Sequence, residues 1–152
     1  MDAIIERVLP GSRVHIQWHG DDDAWRCLTA ADVELDRRGA ATPVGWRHWA
    51  GTPTAVIKVG VAHERQRWWV LAGELPAADS TIVVEIEDGA RPPVERVADR
   101  VWCCEWAGPP SVASVTVDDQ ISVTADFRRR AHYLPGPAPD MTEGRGHISR
   151  ER

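Results

Sequence analysis

The sequence contains no long apolar run, and its first residues do not predict a secretory leader. No segment approaches the roughly 18 consecutive apolar residues that a membrane-spanning helix needs, so we expect no membrane span. Residues 1–7 contain neither the basic region nor the apolar region of a signal peptide. The 3 cysteines cannot all pair in disulfides. The chain is therefore predicted to be cytoplasmic, with reduced thiols.

Phosphate-binding glycine loops and clustered lysines are also missing. Neither G-x-x-x-x-G-K-[ST] nor G-x-G-x-x-G occurs, so nucleotide-dependent chemistry of those kinds is not expected. Residues 1–127 hold 12 Lys and Arg against 20 Asp and Glu, a net charge of −8, with Lys58 as the one lysine. Since phosphate binding depends on clustered basic side chains, an acidic body disfavours nucleic acid as a partner.

The C-terminal segment differs in composition from the rest of the chain. Residues 129–152 are rich in proline, glycine and charge and have almost no apolar anchors, which predicts a disordered tail after a domain at 1–128. The run Arg128-Arg129-Arg130 is the one basic cluster. We interpret it as solvated tail residues.

Alternation of apolar and polar residues with a period of two recurs along the chain, which predicts half-buried strands. The segments that alternate in this way are residues 13–19, 54–63, 82–87, 101–106, 112–117 and 120–127. Residues 67–75 differ because both sides are apolar, with Trp68 and Val70 on one and Trp69 and Leu71 on the other. Such a strand is either central in a sandwich or exposes an interface.

Two dipeptides predict hairpins between these strands. Asp88-Gly89 tolerates positive φ at both positions. Its return segment, 91–97, contains two prolines and can only be an edge strand. Asp118-Asp119 lies between two further alternating runs and predicts a second hairpin. One short helix is predicted over 30–38, with Thr29 as N-cap, Asp32 contributing a capping box and Gly39 ending it.

The predicted fold is mostly β: an antiparallel β-sandwich or barrel-like domain with at most one short helix. In strand rhythm, residues 68–123 resemble an immunoglobulin-like or fibronectin-like sandwich. Cys27, Trp46 and Cys103 imitate the Cys–Trp–Cys pattern of that family, although Trp102 rather than tyrosine precedes the second cysteine. The resemblance is one of architecture, and a sandwich supports many functions.

No catalytic, cofactor or metal motif is complete. Residues 63–67 begin like the zinc motif H-E-x-x-H, but Arg67 stands where the second ligand belongs. His15 and His19 lie about 13 Å apart on one strand, too far to share a metal, and are interpreted as exposed polar positions. Residues 21–23, three aspartates, are predicted to form a solvated turn. We assign no catalytic residue, no metal ligand and no cofactor.

The cysteines leave one enzymatic alternative. Cys103 and Cys104 are adjacent on a strand, so their thiols point to opposite faces, with Cys104 predicted inward and Cys103 outward. A pairing of Cys27 with His48 or His63 would give a small enzyme with a Cys/His site.

Eight tryptophans beside one tyrosine and one phenylalanine are unusual. Most are expected in the core, while a minority could provide flat stacking surfaces. Residues 43–53 are bounded by prolines and predicted to form a loop, which makes Trp46 and Trp49 the best candidates for a functional surface. The predicted binding surface comprises Trp46, Arg47, His48, Trp49, Trp68 and Trp69.

These observations predict a non-enzymatic binding or protein-interaction domain. A protein partner is expected, and a basic one would suit the acidic body. The strand with two apolar faces also favours a homodimer. Neither nucleic acid nor membrane is expected as a partner. The alternatives are a carbohydrate-binding module with exposed, coplanar indoles, and the small enzyme with a Cys/His site.

Overall fold

The computed structural model describes residues 4–39 and 44–128. The predicted tail at 129–152 lies outside these residues, as does the start of the predicted loop at 43. In chain order the described elements are β1 Ile4–Val8, β2 His15–His19, β3 Ala24–Leu28, α1 Ala30–Arg37, β4 Arg47–His48, β5 Val56–His63, β6 Gln66–Glu74, β7 Ile82–Ile86, β8 Glu95–Val97, β9 Val101–Ala107, β10 Val112–Val117 and β11 Ile121–Asp126.

These strands form three sheets in which neighbouring strands are antiparallel. Sheet A has the order β1-β2-β3-β4, sheet B the order β5-β6-β9-β8 and sheet C the order β11-β10-β7. One apolar core contains side chains of sheets A and B, and a second contains side chains of sheets B and C. Sheet B is therefore the middle layer, and the prediction of a mostly β, sandwich-like fold is confirmed.

Strand β6 shows why this sheet is central. Val70 and Ala72 lie in the core shared with sheet A, while Trp69 and Leu71 lie in the core shared with sheet C. Because successive side chains of a strand alternate between faces, a strand with apolar residues on both sides is stable only when both are covered. Of the two interpretations open for this segment, the central strand is correct.

The neighbouring strand β9 has the same pattern and corrects one prediction. Cys104 lies in the second core together with Trp102 and Trp106, as predicted. Cys103, however, is fully buried in the first core, so its predicted outward position is wrong. The reason is that sheet A covers the face of sheet B that was expected to meet water.

Only one of the two predicted hairpins is present. Asp118 and Asp119, with φ of 53° and 59°, connect β10 to β11, in which Val117 pairs with Ile121. At Asp88-Gly89 the chain turns, but β7 belongs to sheet C whereas β8 pairs with β9 in sheet B. The predicted hairpin there is wrong because the turn carries the chain from one sheet to another. Strand β8 does lie at a sheet edge.

The helix begins where the sequence predicts and ends at Arg37, one residue before the predicted end. The Asp32 N–H donates to Thr29 Oγ1 (3.2 Å) and the Thr29 N–H donates to Asp32 Oδ2 (3.1 Å), which completes the capping box. Gly39 follows the last turn with a φ of 78°. In the part of the chain that the structure describes, no helix is long and apolar enough to cross a membrane.

Candidate functional site

The tryptophans divide by burial, and this division locates the candidate site. Five are buried in the two cores: Trp18, Trp25, Trp69, Trp102 and Trp106. Trp49 and Trp68 are half-buried and pack against the first core. Trp46 alone is exposed, with 38% of its surface accessible. The core interpretation therefore describes most of these residues, and Trp46 is the exception.

Trp46 is positioned by a short strand that the sequence did not reveal. Arg47 and His48, predicted to lie in a loop, form β4 and extend sheet A, with Arg47 opposite Trp25 and His48 opposite Ala24. Arg47 therefore shares the inner face with Trp25, and its guanidinium lies 5.3 Å from that indole. Alternation along the chain places Trp46 and His48 on the outer face of sheet A.

Beneath Trp46 lies a buried arginine. The Arg26 guanidinium is 4.2 Å from the centre of the Trp46 ring, and Arg26 is only 8% exposed. Its Nε donates to Gln17 Oε1 at 2.8 Å, and its terminal nitrogen lies 3.5 Å from a carboxylate oxygen of Asp36 on the helix. The indole thus lies on a cation held by β2 and α1, which fixes its orientation.

The network continues to the edge strand β1. Gln17 Nε2 donates to Glu6 Oε2 at 2.7 Å, and His15 Nδ1 lies 2.9 Å from the same oxygen. Burial acts to raise the pKa of Glu6, but the hydrogen bonds from Gln17 and His15, together with the charges of His15 and Arg26, outweigh it and lower the pKa below its ordinary value. Glu6 is accordingly a carboxylate at neutral pH that balances the buried Arg26.

Cross-strand register defines the surface around the indole. Ile4, His19, Ala24 and His48 form one row across sheet A, and Ile4 is 48% exposed. The adjacent row consists of Glu6, Gln17 and Arg26 and lies beneath and beside Trp46. We call this surface the Trp46 face; it comprises Ile4, Glu6, His15, Gln17, His19, Arg26, Trp46 and His48.

The two histidines of β2 correct a further prediction. The His15 and His19 side chains are only 17% and 14% exposed, so they are not the exposed polar positions that alternation suggested. His15 is covered in its contact with Glu6, and the Trp46 ring meets the His19 ring edge-on with centroids 5.5 Å apart. The predicted solvated turn at 21–23 is present and exposed.

The structure separates Trp49 from Trp46. The Trp49 Nε1 donates to the Arg100 carbonyl at 2.9 Å, and its ring meets Trp18 edge-on at 6.4 Å. The Arg100 guanidinium lies 5.0 Å from the ring centre. Trp49 therefore closes one end of the first core instead of extending the Trp46 face.

Trp68 and Trp69 are likewise occupied within the fold. The Trp68 ring lies so close to Gly11 that a Cβ there would come within 2.2 Å of it. Trp69 is buried, donates from its Nε1 to the Gly108 carbonyl at 2.9 Å and contacts Phe127. Of the six residues predicted as one binding surface, Trp46 and His48 lie together on the outer face of sheet A.

Arg26 and Gln17 are the site residues that sequence reasoning missed. Residues 24–28 have Trp25 and Cys27 on one side and Arg26 between them, which is a strand pattern that could have drawn attention to the arginine. Its role depends on Trp46, which lies 20 positions along the chain. Periodicity alone gives no signal for such a contact.

The three cysteine side chains are free and buried in the two cores. Burial raises the pKa of Cys27, with a further contribution from nearby Cys103. Burial also raises the pKa of Cys103 and of Cys104 to about 12. Cys27 faces the core and His48 the outer surface, so this pair is not brought together. Within residues 4–39 and 44–128, no three His, Cys, Asp or Glu side chains are arranged to hold a metal ion.

These thiols give a direct chemical prediction. In the native protein at about pH 8, 5,5′-dithiobis(2-nitrobenzoate) is expected to react with none of Cys27, Cys103 and Cys104, and with all three after denaturation. Unfolded thiols ionise near pH 9 while the native ones stay protonated, so the free energy of unfolding falls as pH rises above 9. Rapid reaction of any thiol in the native protein would contradict this burial.

The class of protein follows from this geometry: an antiparallel β-sandwich of three layers with a fixed indole on its outer face. Searches with protein-family models, among curated proteins and among solved structures found no match to this chain.

Proposed function

We propose that this chain is a non-enzymatic protein-interaction domain whose contact surface is the Trp46 face. The observation that carries the proposal is the exposed indole stacked on the buried Arg26 guanidinium. Binding hot spots are enriched in tryptophan, and an anchor already fixed in the free protein loses little side-chain entropy when it binds. Ile4 adds a second exposed apolar side chain to the same face.

Charge supports a basic partner. The three aspartates at 21–23 adjoin the face at the turn between β2 and β3, and the helix contributes Asp36, which lies 3.5 Å from the Arg26 guanidinium. Residues 1–127 as a whole carry a net charge of −8. Such a surface would accelerate encounter with a basic protein and lose that advantage at high salt. We place the protein in the cytoplasm as part of this proposal, since its described cysteines are free.

Two earlier interpretations receive less support from the described residues. The strand with two apolar faces favoured a homodimer, but sheets A and C cover both sides of β6. A carbohydrate-binding module requires coplanar exposed indoles, whereas Trp49 is engaged with Trp18 and Arg100. Trp46 is left as a single exposed platform, which suits an anchor better than an extended sugar site.

The test is Trp46→Ala, compared with Trp46→Phe. We expect Trp46→Ala to lower the free energy of unfolding by about 2 kcal/mol, because a cation–π contact with a buried guanidinium is worth about that much. Its binding should fall by roughly tenfold or more if Trp46 is a hot spot. Trp46→Phe keeps an aromatic ring over Arg26 and should retain part of the affinity. Denaturant unfolding measures the change in the free energy of unfolding.

Binding is measured by quantitative capture and cross-linking of partners from source-cell lysate. Arg91→Ala is the matched control, because Arg91 pairs with Glu85 at the surface on the sheet C side of the molecule. We expect a stoichiometric basic protein that is retained by the control and lost with Trp46→Ala. Equal capture by both variants, or cross-links that avoid the Trp46 face, would refute this surface.

A further inference from the structure

A concave site that is separate from the Trp46 face lies at one end of the sandwich. Here a cavity of about 420 Å³ opens between three connections: the one after β4, the one after β6 and the turn between β8 and β9. We call it the end pocket. Its walls include Trp49, Leu75, Ala77, Ala78, Asp99 and Arg100. Loops gathered at the end of a sandwich are a common location for ligand sites.

Hydrogen bonds hold the pocket open in a fixed shape. The Arg100 carbonyl accepts from Trp49 Nε1 (2.9 Å) and from the Leu75 N–H (2.8 Å), which joins all three connections. Across the pocket, the Arg96 guanidinium donates to the carbonyls of Ala78 and Ser80. A site formed before the ligand arrives loses little free energy to ordering.

The pocket combines an apolar wall with two opposite charges. The wall consists of the half-buried Trp49 ring and Pro76, and the small side chains of Ala77 and Ala78 leave room beside them. The Arg100 guanidinium lies 5.0 Å from the Trp49 ring and 5.8 Å from the Trp18 ring. Within the described residues, neither Arg100 nor its neighbour Asp99 uses its charged group in a hydrogen bond or ion pair. A stacked guanidinium still presents its N–H edge to a carboxylate.

We propose that the end pocket binds a small zwitterion of the apolar α-amino acid class. The ligand carboxylate pairs with Arg100, its ammonium group pairs with Asp99, and its side chain lies against Pro76 and the Trp49 ring. A simple anion would meet the Asp99 carboxylate, and a simple cation would meet the Arg100 guanidinium. A zwitterion satisfies both charges at once. This site is independent of the proposed contact with a protein partner.

The probes are L-leucine, its N-acetyl derivative and its amide, titrated into the full chain labelled with ¹⁵N. The indole N–H signal of Trp49, identified through Trp49→Phe, reports binding because that N–H lies at the pocket wall. We expect a saturable shift with L-leucine and at least tenfold weaker binding of each derivative. The derivatives remove one charge each, so the pattern tests both contacts separately.

Two variants assign the charges to residues. In Asp99→Asn, L-leucine and its N-acetyl derivative should bind equally weakly. In Arg100→Met, which keeps an unbranched side chain over the indoles, L-leucine and its amide should bind equally weakly. Trp46→Ala should leave L-leucine binding unchanged. A failure of the end-pocket proposal is therefore distinguishable from a failure of the proposed Trp46 face. The proposal is overturned if L-leucine gives no saturable shift at about 10 mM, tenfold above a millimolar Kd. It is equally overturned if either derivative binds as well as L-leucine.

Discussion

Glu74→Ala is expected to lower the free energy of unfolding by about 3–5 kcal/mol. Glu74 is 2% exposed, at the end of β6. Its carboxylate accepts hydrogen bonds from Trp25 Nε1 (2.9 Å), the Ala50 N–H (3.1 Å) and the Thr52 N–H (2.9 Å). Hydrogen bonds to a charged group are worth about 1.5–3 kcal/mol each, and donors left buried without an acceptor add a cost of similar size.

Removal of the Glu74 carboxylate should also disturb the chain around Trp49. Two of the three donors are the backbone N–H groups of Ala50 and Thr52, which follow Trp49 in the sequence. Urea unfolding measures the stability, and the indole signal of Trp49 reports the local change. Glu74→Gln should cost less, since the amide keeps one acceptor oxygen. Glu85→Ala is the control: it removes a carboxylate from a surface ion pair with Arg91 and should cost less than about 1 kcal/mol. A Glu74→Ala protein as stable as this control would contradict the anchoring role.

The strands were predictable because their signal is local. Alternation in residues 82–87 and 112–117 depends on which face of a strand meets a core, and each segment contains that information by itself. The same holds for the helix, whose capping box needs only Thr29 and Asp32. The apolar character of both faces of β6 indicated either a central strand or an exposed interface, and the third layer that decides between them was not predicted.

The assignment of strands to sheets was not predictable. Asp88-Gly89 has the composition of a hairpin turn, but a turn does not specify which sheet receives the next strand. Conversely, Ala98 and Asp99 connect β8 to β9 with φ of 55° and 53°, and alanine rarely adopts a positive φ, so this pair does not have the composition of a hairpin turn. Turn propensities therefore predicted the real hairpin at Asp118-Asp119 and a false one at Asp88-Gly89, and they gave no indication of the hairpin between β8 and β9.

Hydrogen bonds between polar groups that lie far apart in the sequence were also not predictable, and the candidate site depends on a contact of this kind. Glu74 and Glu105 resemble surface residues in the sequence, yet Glu105 accepts from the N–H groups of Gly11 and Ser12 at 2.8 Å each. Their partners are 22 to 94 positions away. Trp46 was predicted from its loop context, but Arg26 beneath it belongs to the same class of distant polar contact. Physical pairing of polar groups across sheets leaves no period to detect.

Gly73→Ala is the second substitution with a large expected effect, a loss of about 3 kcal/mol or more in the free energy of unfolding. Gly73 lies directly opposite Trp102 in the pairing of β6 with β9. A Cβ at Gly73 would come within 2.7 Å of two atoms of that indole. Trp102 is fully buried between sheets B and C, so its ring has no free volume into which it can move.

Other glycines separate this clash from a general cost of replacing glycine. In Gly11→Ala the new Cβ would meet the Trp68 ring, which is only half-buried and can shift toward solvent, so we expect a smaller loss. At Gly45 nothing lies within 4 Å of the added atom, and Gly45→Ala should be close to neutral. Thermal and urea unfolding of the three variants should therefore rank them as Gly73, Gly11 and Gly45. A Gly73→Ala protein no less stable than Gly45→Ala would mean that the Trp102 ring does not lie across the backbone of β6. The packing of sheet C on sheet B would then have to differ from the one described.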